Sequence, residues 1–423
     1  MSLSLTQLFP LHTGFLYNLF ADPDIIRLPS ILSPLQGVIA WIISKRRAPK
    51  SRAAYASIGG GSPILQYSRQ QARLLCASVE RRYGMPIQAY IGMRYWNPFT
   101  EEALDQIQRD KIEALVIVPL YPQFSISTSG SSLRLLQEAF ATQAMQRQQQ
   151  QQRFVHTVVP SWYQRPGYIR AMVSLLQREL DAFTEEQKAQ ARARRPDQPP
   201  LHVLFSAHGV PQSYIAAGDP YQRQMEACVG AIEQEILQRN TDVQVHLSYQ
   251  SRVGPIEWLR PYTDDVLPEL GQTLGVTNLV VVPVSFVSEH IETLEEIDIE
   301  YRELAEASGI TNWRRCPALN TAPEFIDDLA DMVVEALAEP IQTVTEACIA
   351  NNVDNLAAVG DDISAAGIQG VGGSEALRYR SGQLELERQE RLVARIAILG
   401  VVATVLVELV NGDSLVRLLG GGF

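Results

Sequence analysis

The chain has 423 residues, 46% hydrophobic and 20% charged, the make-up of an ordinary globular protein with room for two domains or one two-lobed domain. Its net charge of −11 argues against a nucleic-acid binder, which needs a basic surface to meet phosphate. The four cysteines, Cys76, Cys228, Cys316 and Cys348, are scattered without C-x-x-C spacing, which argues against a zinc site, an iron–sulfur cluster or a disulfide framework and fits a reducing compartment.

The first stretch, MSLSLTQLFPLHTGFLYNLF, lacks the basic n-region and small-residue cleavage site of a secretory signal. It also lacks the Arg- and Ser-rich composition of a transit peptide, so the protein either stays where it is made or has lost its start. Five apolar runs then read as buried strands: IQAYIGMRYW (87–96), EALVIVPLYPQ (113–123), LHVLFSAHG (201–209), VQVHLSYQS (243–251) and NLVVVPVSF (278–286). Each precedes a loop and a helical pattern, which predicts parallel sheets covered on both faces. A faint repeat relates LVIVPLYPQFS to LVVVPVSFVSEH, and YIGMRYWNPFTEEAL to HLSYQSRVGPIEWL. Together these give two α/β lobes with a cleft between them.

Three segments break the pattern. The glutamine-rich run at 145–153 reads as a surface insertion, and EEQKAQARARRPDQPP as a loop or inter-lobe linker. The boundaries follow: one lobe over 1–165, a second over 166–340, and an Ala-, Gly-, Asn- and Asp-rich tether over 341–385. Residues 386–423 hold the last element, built on ERLVARIAILGVVATVLVELVNG. From Leu392 to Val410 it offers 19 residues against the ~20 that a membrane span needs, with Arg395 and Glu408 near the ends where they can snorkel. Ala397, Gly400 and Ala403 form the small-residue face that membrane helix pairs use. A single transmembrane helix is expected; a buried soluble helix is the alternative.

Ligands of open α/β sheets bind beyond the carboxyl ends of the strands. His208 follows VLFSA there, and His290 follows VVVPVSFVSE. Either serves as a metal ligand or proton acceptor near neutrality, or as a satisfied structural histidine. Glu292, Glu296 and Glu300 recur every four residues, which places them on one helical face, with Glu295, Asp298 and Glu303 largely elsewhere. No Lys or Arg lies four residues on from Glu292 or Glu296. The row is either a solvated acidic face or a relay for protons or a divalent cation, and carboxylate with imidazole suits Fe²⁺ or Zn²⁺. MRYWNPFTEE offers Arg94, Tyr95 and Trp96; YPQFSISTSGSS offers Tyr121, Gln123, Ser125, Ser127 and Thr128 at a helix start; YQSRVGPIEWL offers Arg252 and Trp258 to a flat acidic ligand.

LFSAHGVP, YQSRVGPIEWLRP and PVSFVSEHIETLEEIDIEYRELA, joined by FLYNLFADPDIIRLP, IGGGSPI, GMRYWNPFTEEAL and LYPQFSISTSGSS, resemble the ferrochelatase family from about Phe15 to Ala338. The resemblance implies two Rossmann-like lobes with parallel sheets, protoporphyrin IX in the cleft, and Fe²⁺ inserted as substrate, with no organic cofactor and no iron–sulfur cluster. It implies catalytic roles for His208, Glu292, Glu296 and Glu300, with His208 and Glu292 as the iron site and the acids on an unusually wound helix. It makes Arg94, Tyr95, Ser125, Ser127 and His290 pocket positions. The tail is similar to the chlorophyll a/b-binding-type helix of cyanobacterial and plastid ferrochelatases: it keeps Glu390, Arg395, Ala397 and Gly400, with Val393 and Ile398 in place of Asn and Met. That likeness implies membrane attachment, a homodimer through the helix, and chlorophyll or carotenoid as a partner, at the cytoplasmic face of a cyanobacterial membrane or in a plastid. Two departures stand out. The strand and Gly-Gly-Pro-type loop expected ahead of FLYNLF are read as absent or replaced, and the glutamine run has no counterpart. A non-catalytic tetrapyrrole-binding protein is therefore the alternative reading; a cobalt or nickel chelatase of related fold is disfavoured by the tail and the acid row.

Overall fold

The computed structural model describes residues 9–353 except 24, 26–29, 151–154, 253–255, 340 and 352. The hydrophobic tail, with Glu390, Arg395, Ala397 and Gly400, lies outside the described residues, and so does most of the tether. All described residues belong to one compact unit.

The chain opens with α1 (Phe9–Ala21), α2 (Gln36–Ser57) and α3 (Ile64–Tyr83), followed by α4 (Thr100–Arg109). Strand β1 (Ala114–Ile117) pairs in parallel with β2 (Val155–Val158), and α5 (Ser131–Gln150) connects them. A π-wound turn at Ile126–Gly130 leads into α5. After α6 (Pro166–Asp181) and α7 (Glu185–Arg194), strand β3 (Leu201–His208) starts the second sheet. There follow α8 (Gln212–Ala216), α9 (Tyr221–Arg239), β4 (Val243–Gln250), α10 (Thr263–Pro268), β5 (Asn278–Pro283), α11 (Arg302–Ala307), β6 (Asn312–Arg315), α12 (Pro323–Ala338) and α13 (Val344–Ala350). The order in this sheet is β4-β3-β5-β6, all parallel.

The second sheet explains its own sequence. Every residue of β5 is buried, and every residue of β3 except His208, because helices cover both faces. The main core joins α6, α9 and α12 to these strands through Met172, Leu176, Val203, Phe205, Met225, Ile232, Val280, Val282 and Phe325.

Four segments differ from the sequence-based expectation. Residues 87–92 do not form a strand: no ladder partner reaches them among the described residues, and their apolar side chains stay half-exposed, as do Leu115, Val116 and Ile117 of β1. Extended backbone becomes sheet only when a neighbour takes its hydrogen bonds. The stretch after Thr184, expected to be a loop, is helix α7. Thr184 Oγ1 accepts from the backbone N–H of Gln187, whose side chain accepts from Thr184 N, and the Ala, Gln, Lys and Arg that follow are good helix formers. The glutamine run up to Gln150 continues α5. Residues 344–350, placed at the start of a tether, form α13, whose Val344, Ala347 and Cys348 pack into a second core with Phe124, Leu133 and Val158. Among the described residues, no helix is long and apolar enough to cross a membrane.

Candidate active site

β3, β4 and β5 end at one edge of the sheet, and the candidate residues gather there. His208 is the last residue of β3, in register with Gln250 of β4. Its backbone N–H donates to Ser285 Oγ (2.9 Å), just beyond β5, and Tyr221 Oη donates to its carbonyl (2.8 Å). The chain then turns sharply at Gly209, where a Cβ would lie 2.8 Å from the Gln250 carbonyl oxygen, so only glycine fits without a shift. The Gly209 carbonyl accepts from His208 Nδ1–H (2.7 Å), which fixes the tautomer and leaves Nε2 as the reactive nitrogen.

Nε2 faces Glu292 Oε2 at 3.5 Å. That oxygen is buried and accepts no hydrogen bond among the described residues. Yet 37% of the His208 side chain remains exposed, so solvent reaches it. Burial disfavours a charged imidazole, but the Glu292 carboxylate, the Gly209 carbonyl and Glu296 outweigh it and raise the His208 pKa above its ordinary value.

Glu292 begins a π-helix, Glu292–Tyr301. With i→i+5 hydrogen bonds, a spacing of four falls just short of a turn, whereas in an α-helix it overshoots one. The three acids therefore still share one stripe. Glu296 is held on several sides: Ser251 Oγ lies 2.9 and 2.7 Å from its two oxygens, Tyr301 Oη donates at 3.0 Å and Gln250 Nε2 at 3.3 Å. Burial and the neighbouring Glu292 push its pKa up to about 7 against these donors. Glu300 stands at the exposed end, 3.6 Å from Lys50 Nζ of α2. The helix is clamped from β6, where Arg315 donates to Glu289 (2.9 Å) just before it and to Asp298 (2.7 Å) within it. His290 packs its ring on Phe286, the centroids 4.2 Å apart, and burial lowers its pKa.

The remaining candidates are engaged by other side chains. Arg94 pairs with Asp22 (2.8 Å) and donates to Ser131 Oγ (3.0 Å), and Tyr95 Oη donates to the same Asp22 oxygen (2.9 Å). Ser125 is fully buried and donates to Asp219 (2.8 Å), with Ser127 Oγ 3.1 Å away. Arg252 pairs with Asp264 (2.8 Å) and stacks on Tyr262. The structure thus brings His208, His290, Glu292 and Glu296 together and engages Arg94, Tyr95 and Ser125 with buried carboxylates.

A family profile described as ferrochelatase matches residues 12–337, more than three quarters of the chain. The chain belongs to the ferrochelatase family. Ferrochelatase-2, chloroplastic, of Oryza sativa subsp. japonica is 56% identical over 324 residues, 76% of this chain and 58% of that protein. The ferrochelatase of Cyanothece sp. is 55% identical over 327 residues, covering 77% and 78% of the two chains. The chain therefore spans under two thirds of the length of the rice relative. Among solved structures, SirB from Bacillus subtilis with Fe³⁺ has a TM-score of 0.41 and 13% identity over 63% of this chain and 89% of that one, a likeness too distant to bear on function.

Within this ferrochelatase-family cleft, sequence reasoning missed four residues. Ser251 and Tyr301 hold Glu296. Tyr55 of α2 has its pKa raised by burial and by Glu292, and buried Asp219 ties the Ser125 loop to the start of α9. Tyr301 lay five residues beyond Glu296, a spacing that signals contact only on a π-helix. Ser251 and Tyr55 carried no sequence signal.

Proposed function

We propose that the chain inserts Fe²⁺ into protoporphyrin IX to give protoheme. The observation that carries this reading is the opposition of His208 Nε2 and Glu292 Oε2 at 3.5 Å, with Glu296 behind them on the same helical stripe. A free porphyrin must lose two pyrrole protons as the metal enters. Nε2 is the one His208 nitrogen without a committed partner, so it is the atom that accepts a proton, and Glu292 stabilises the resulting imidazolium. His208 and Glu292 are also the pair suited to meet the incoming iron, through imidazole and carboxylate. Glu296, with its pKa about 7, exchanges protons readily near neutrality, and Glu300 links the row to solvent. Arg94, Tyr95, Ser125, Ser127 and His290 shape the walls that hold the macrocycle, and distortion of the ring there would expose the nitrogen lone pairs.

A continuous iron-insertion assay tests this. His208→Ala is expected to lose at least ~10²-fold in rate while still quenching porphyrin fluorescence on binding. Full activity in that variant would end the assignment. A second reading, a tetrapyrrole-binding protein without catalysis, is favoured by the unpaired segment 87–92 and the half-exposed β1 beside the cleft. It predicts porphyrin binding with no insertion by the unmodified chain.

We further propose that residues 386–423 anchor the protein in a cyanobacterial or plastid membrane, pair with a second copy and take up chlorophyll or carotenoid. The long apolar run and the retained Glu390, Arg395, Ala397 and Gly400 support this. Membrane attachment that survives deletion of residues 380–423 would refute the anchor.

A further inference from the structure

The loop between β1 and α5 follows the first sheet, yet its hydrogen bonds run to residues of the second. Phe124, Ser125 and Ile126 are buried and lie in no strand, so their backbone N–H groups need acceptors from elsewhere. Two side chains supply them. Gln224 Oε1 accepts from Phe124 N–H (2.7 Å), 100 residues away in sequence. Asp219 Oδ2 accepts from Ile126 N–H (2.9 Å) and from the Ser125 hydroxyl (2.8 Å). Both acceptor side chains are themselves buried. The other Asp219 oxygen takes the N–H of Tyr221 (2.9 Å), the first residue of α9. One carboxylate thus starts the helix and holds the loop.

Tyr221 turns the same segment toward the histidine. Its Oη donates to the His208 carbonyl (2.8 Å) and lies 2.8 Å from Ser285 Oγ, which accepts from His208 N–H (2.9 Å). A phenol has one proton, and the carbonyl takes it, so the Ser285 hydroxyl donates to Tyr221. Three hydrogen bonds therefore close a ring through both backbone polar groups of His208.

We infer that residues 219–224 form a crossbeam that fixes the separation between the 124–126 loop and His208, with Asp219 and Gln224 as positioning residues at the loop end and Tyr221 at the histidine end. The grip is stiff because a buried N–H pulled off its acceptor finds no water to replace it. Under the function proposed above, on which this inference rests for its ligand, the loop hydroxyls and His208 meet one macrocycle. A gap set by the protein beforehand spares the ligand the cost of setting it on binding. An error of about 1 Å in such a gap is enough to lose on the order of 10²-fold in rate.

The test cuts each end of the beam in the full chain. Gln224→Met removes the acceptor of Phe124 N–H at similar volume, and Gln224→Glu restores an oxygen there. Tyr221→Phe removes Oη alone. Amide hydrogen exchange is read first, without ligand. Exchange over residues 123–127 should quicken about tenfold in Gln224→Met and stay within about threefold in Gln224→Glu. Unchanged exchange in Gln224→Met, or equal quickening in Gln224→Glu, overturns the inference. Iron insertion is read second. Gln224→Met should raise KM for porphyrin about fivefold, and Tyr221→Phe should lower kcat about tenfold. The double variant should lose far less in kcat/KM than the product of the two, because both cuts free one gap. Ile232→Val, a truncation in the body of α9 that also lowers the melting temperature, should leave KM unchanged. A KM shift of the same size in Ile232→Val, or losses that multiply in the double variant, overturns the crossbeam in favour of separate local supports. If the unmodified chain neither binds porphyrin nor inserts iron, the chelatase reading fails and the exchange result alone decides the crossbeam.

Discussion

Among the described residues, Ser251 holds the only hydroxyl that lies against both oxygens of Glu296, and its backbone adopts φ +64°, in the left-handed region. Replacing it with glycine removes the hydroxyl while leaving a residue that adopts this φ without strain, so Ser251→Gly isolates the hydrogen bond from the fold. A hydrogen bond to a charged group contributes ~1.5–3 kcal/mol, or about 1–2 pKa units. Tyr301 and Gln250 remain, and water can enter from the cleft, so the lower end applies: the Glu296 pKa should move from about 7 to about 8. The sign follows from the loss of a donor that favours the ionised form. At pH 7.5 the ionised fraction would fall from ~76% to ~24%, roughly threefold, whereas above about pH 9 both proteins would be ionised alike. The assay is kcat/KM for metal insertion from pH 6 to 9.5, with thermal stability followed in parallel. An acid limb displaced upward by about one unit, with an unchanged high-pH plateau and unchanged melting temperature, is the expected result. A uniform drop at every pH, or an unmoved limb, would refute the assignment of Ser251 as the group that tunes Glu296.

Three further outcomes follow from other contacts. Gly209→Ala sets a methyl 2.8 Å from the Gln250 carbonyl and should destabilise by ~1–3 kcal/mol, read in denaturant melts, with metal insertion falling further because His208 shifts. Arg315→Met leaves Glu289, 7% exposed, and Asp298 without their shared cation; a loss of ~3–5 kcal/mol is expected by the same melts, and loosening of the π-helix by hydrogen exchange. His202 and His246 share a proton between Nδ1 and Nε2 (3.0 Å) at the far end of the sheet, and burial first, then the neighbouring imidazole, depresses the His202 pKa to about 4. The unfolded chain binds that proton near pH 6.5 and the folded one does not, so stability is complete above 6.5 and declines toward pH 4, by about 3 kcal/mol for His202; His202→Leu should flatten that slope.

In the second sheet β3 and β5 were legible because they are buried on both faces and read as apolar runs, whereas the half-buried β6, Asn-Trp-Arg-Arg, carried no such run and was not expected. His208 was legible because a histidine followed by Gly-Val-Pro can only end a strand. The acid stripe survived the change from α to π winding because a spacing of four lies close to one turn in both. What the sequence could not carry was who answers whom across the fold. Arg94 and Tyr95 looked like open pocket groups, yet Asp22, more than 70 residues away in sequence, takes both. Ser125 looked like an exposed loop hydroxyl and is sealed on Asp219. IQAYIGMRYW has strand composition, but a strand is a property of a pair, and no partner reaches residues 87–92 among the described residues. α7 was written plainly in its capping box and was masked by its polarity, which a solvent-facing helix shares with a loop.

The hydrogen bond from His208 Nδ1 to the Gly209 carbonyl imposes a timetable. An imidazole tied at one nitrogen has a single lone pair left, and that lone pair binds either a proton or a metal ion, never both together. If His208 meets iron first, it must give the ion up before it can take a pyrrole proton. If it takes the proton first, the ion must come to the porphyrin from another direction or wait until Glu292 has drained the charge. One side chain therefore cannot serve both traffics in the same instant, and under the proposed function the acids queued behind it would supply the second berth.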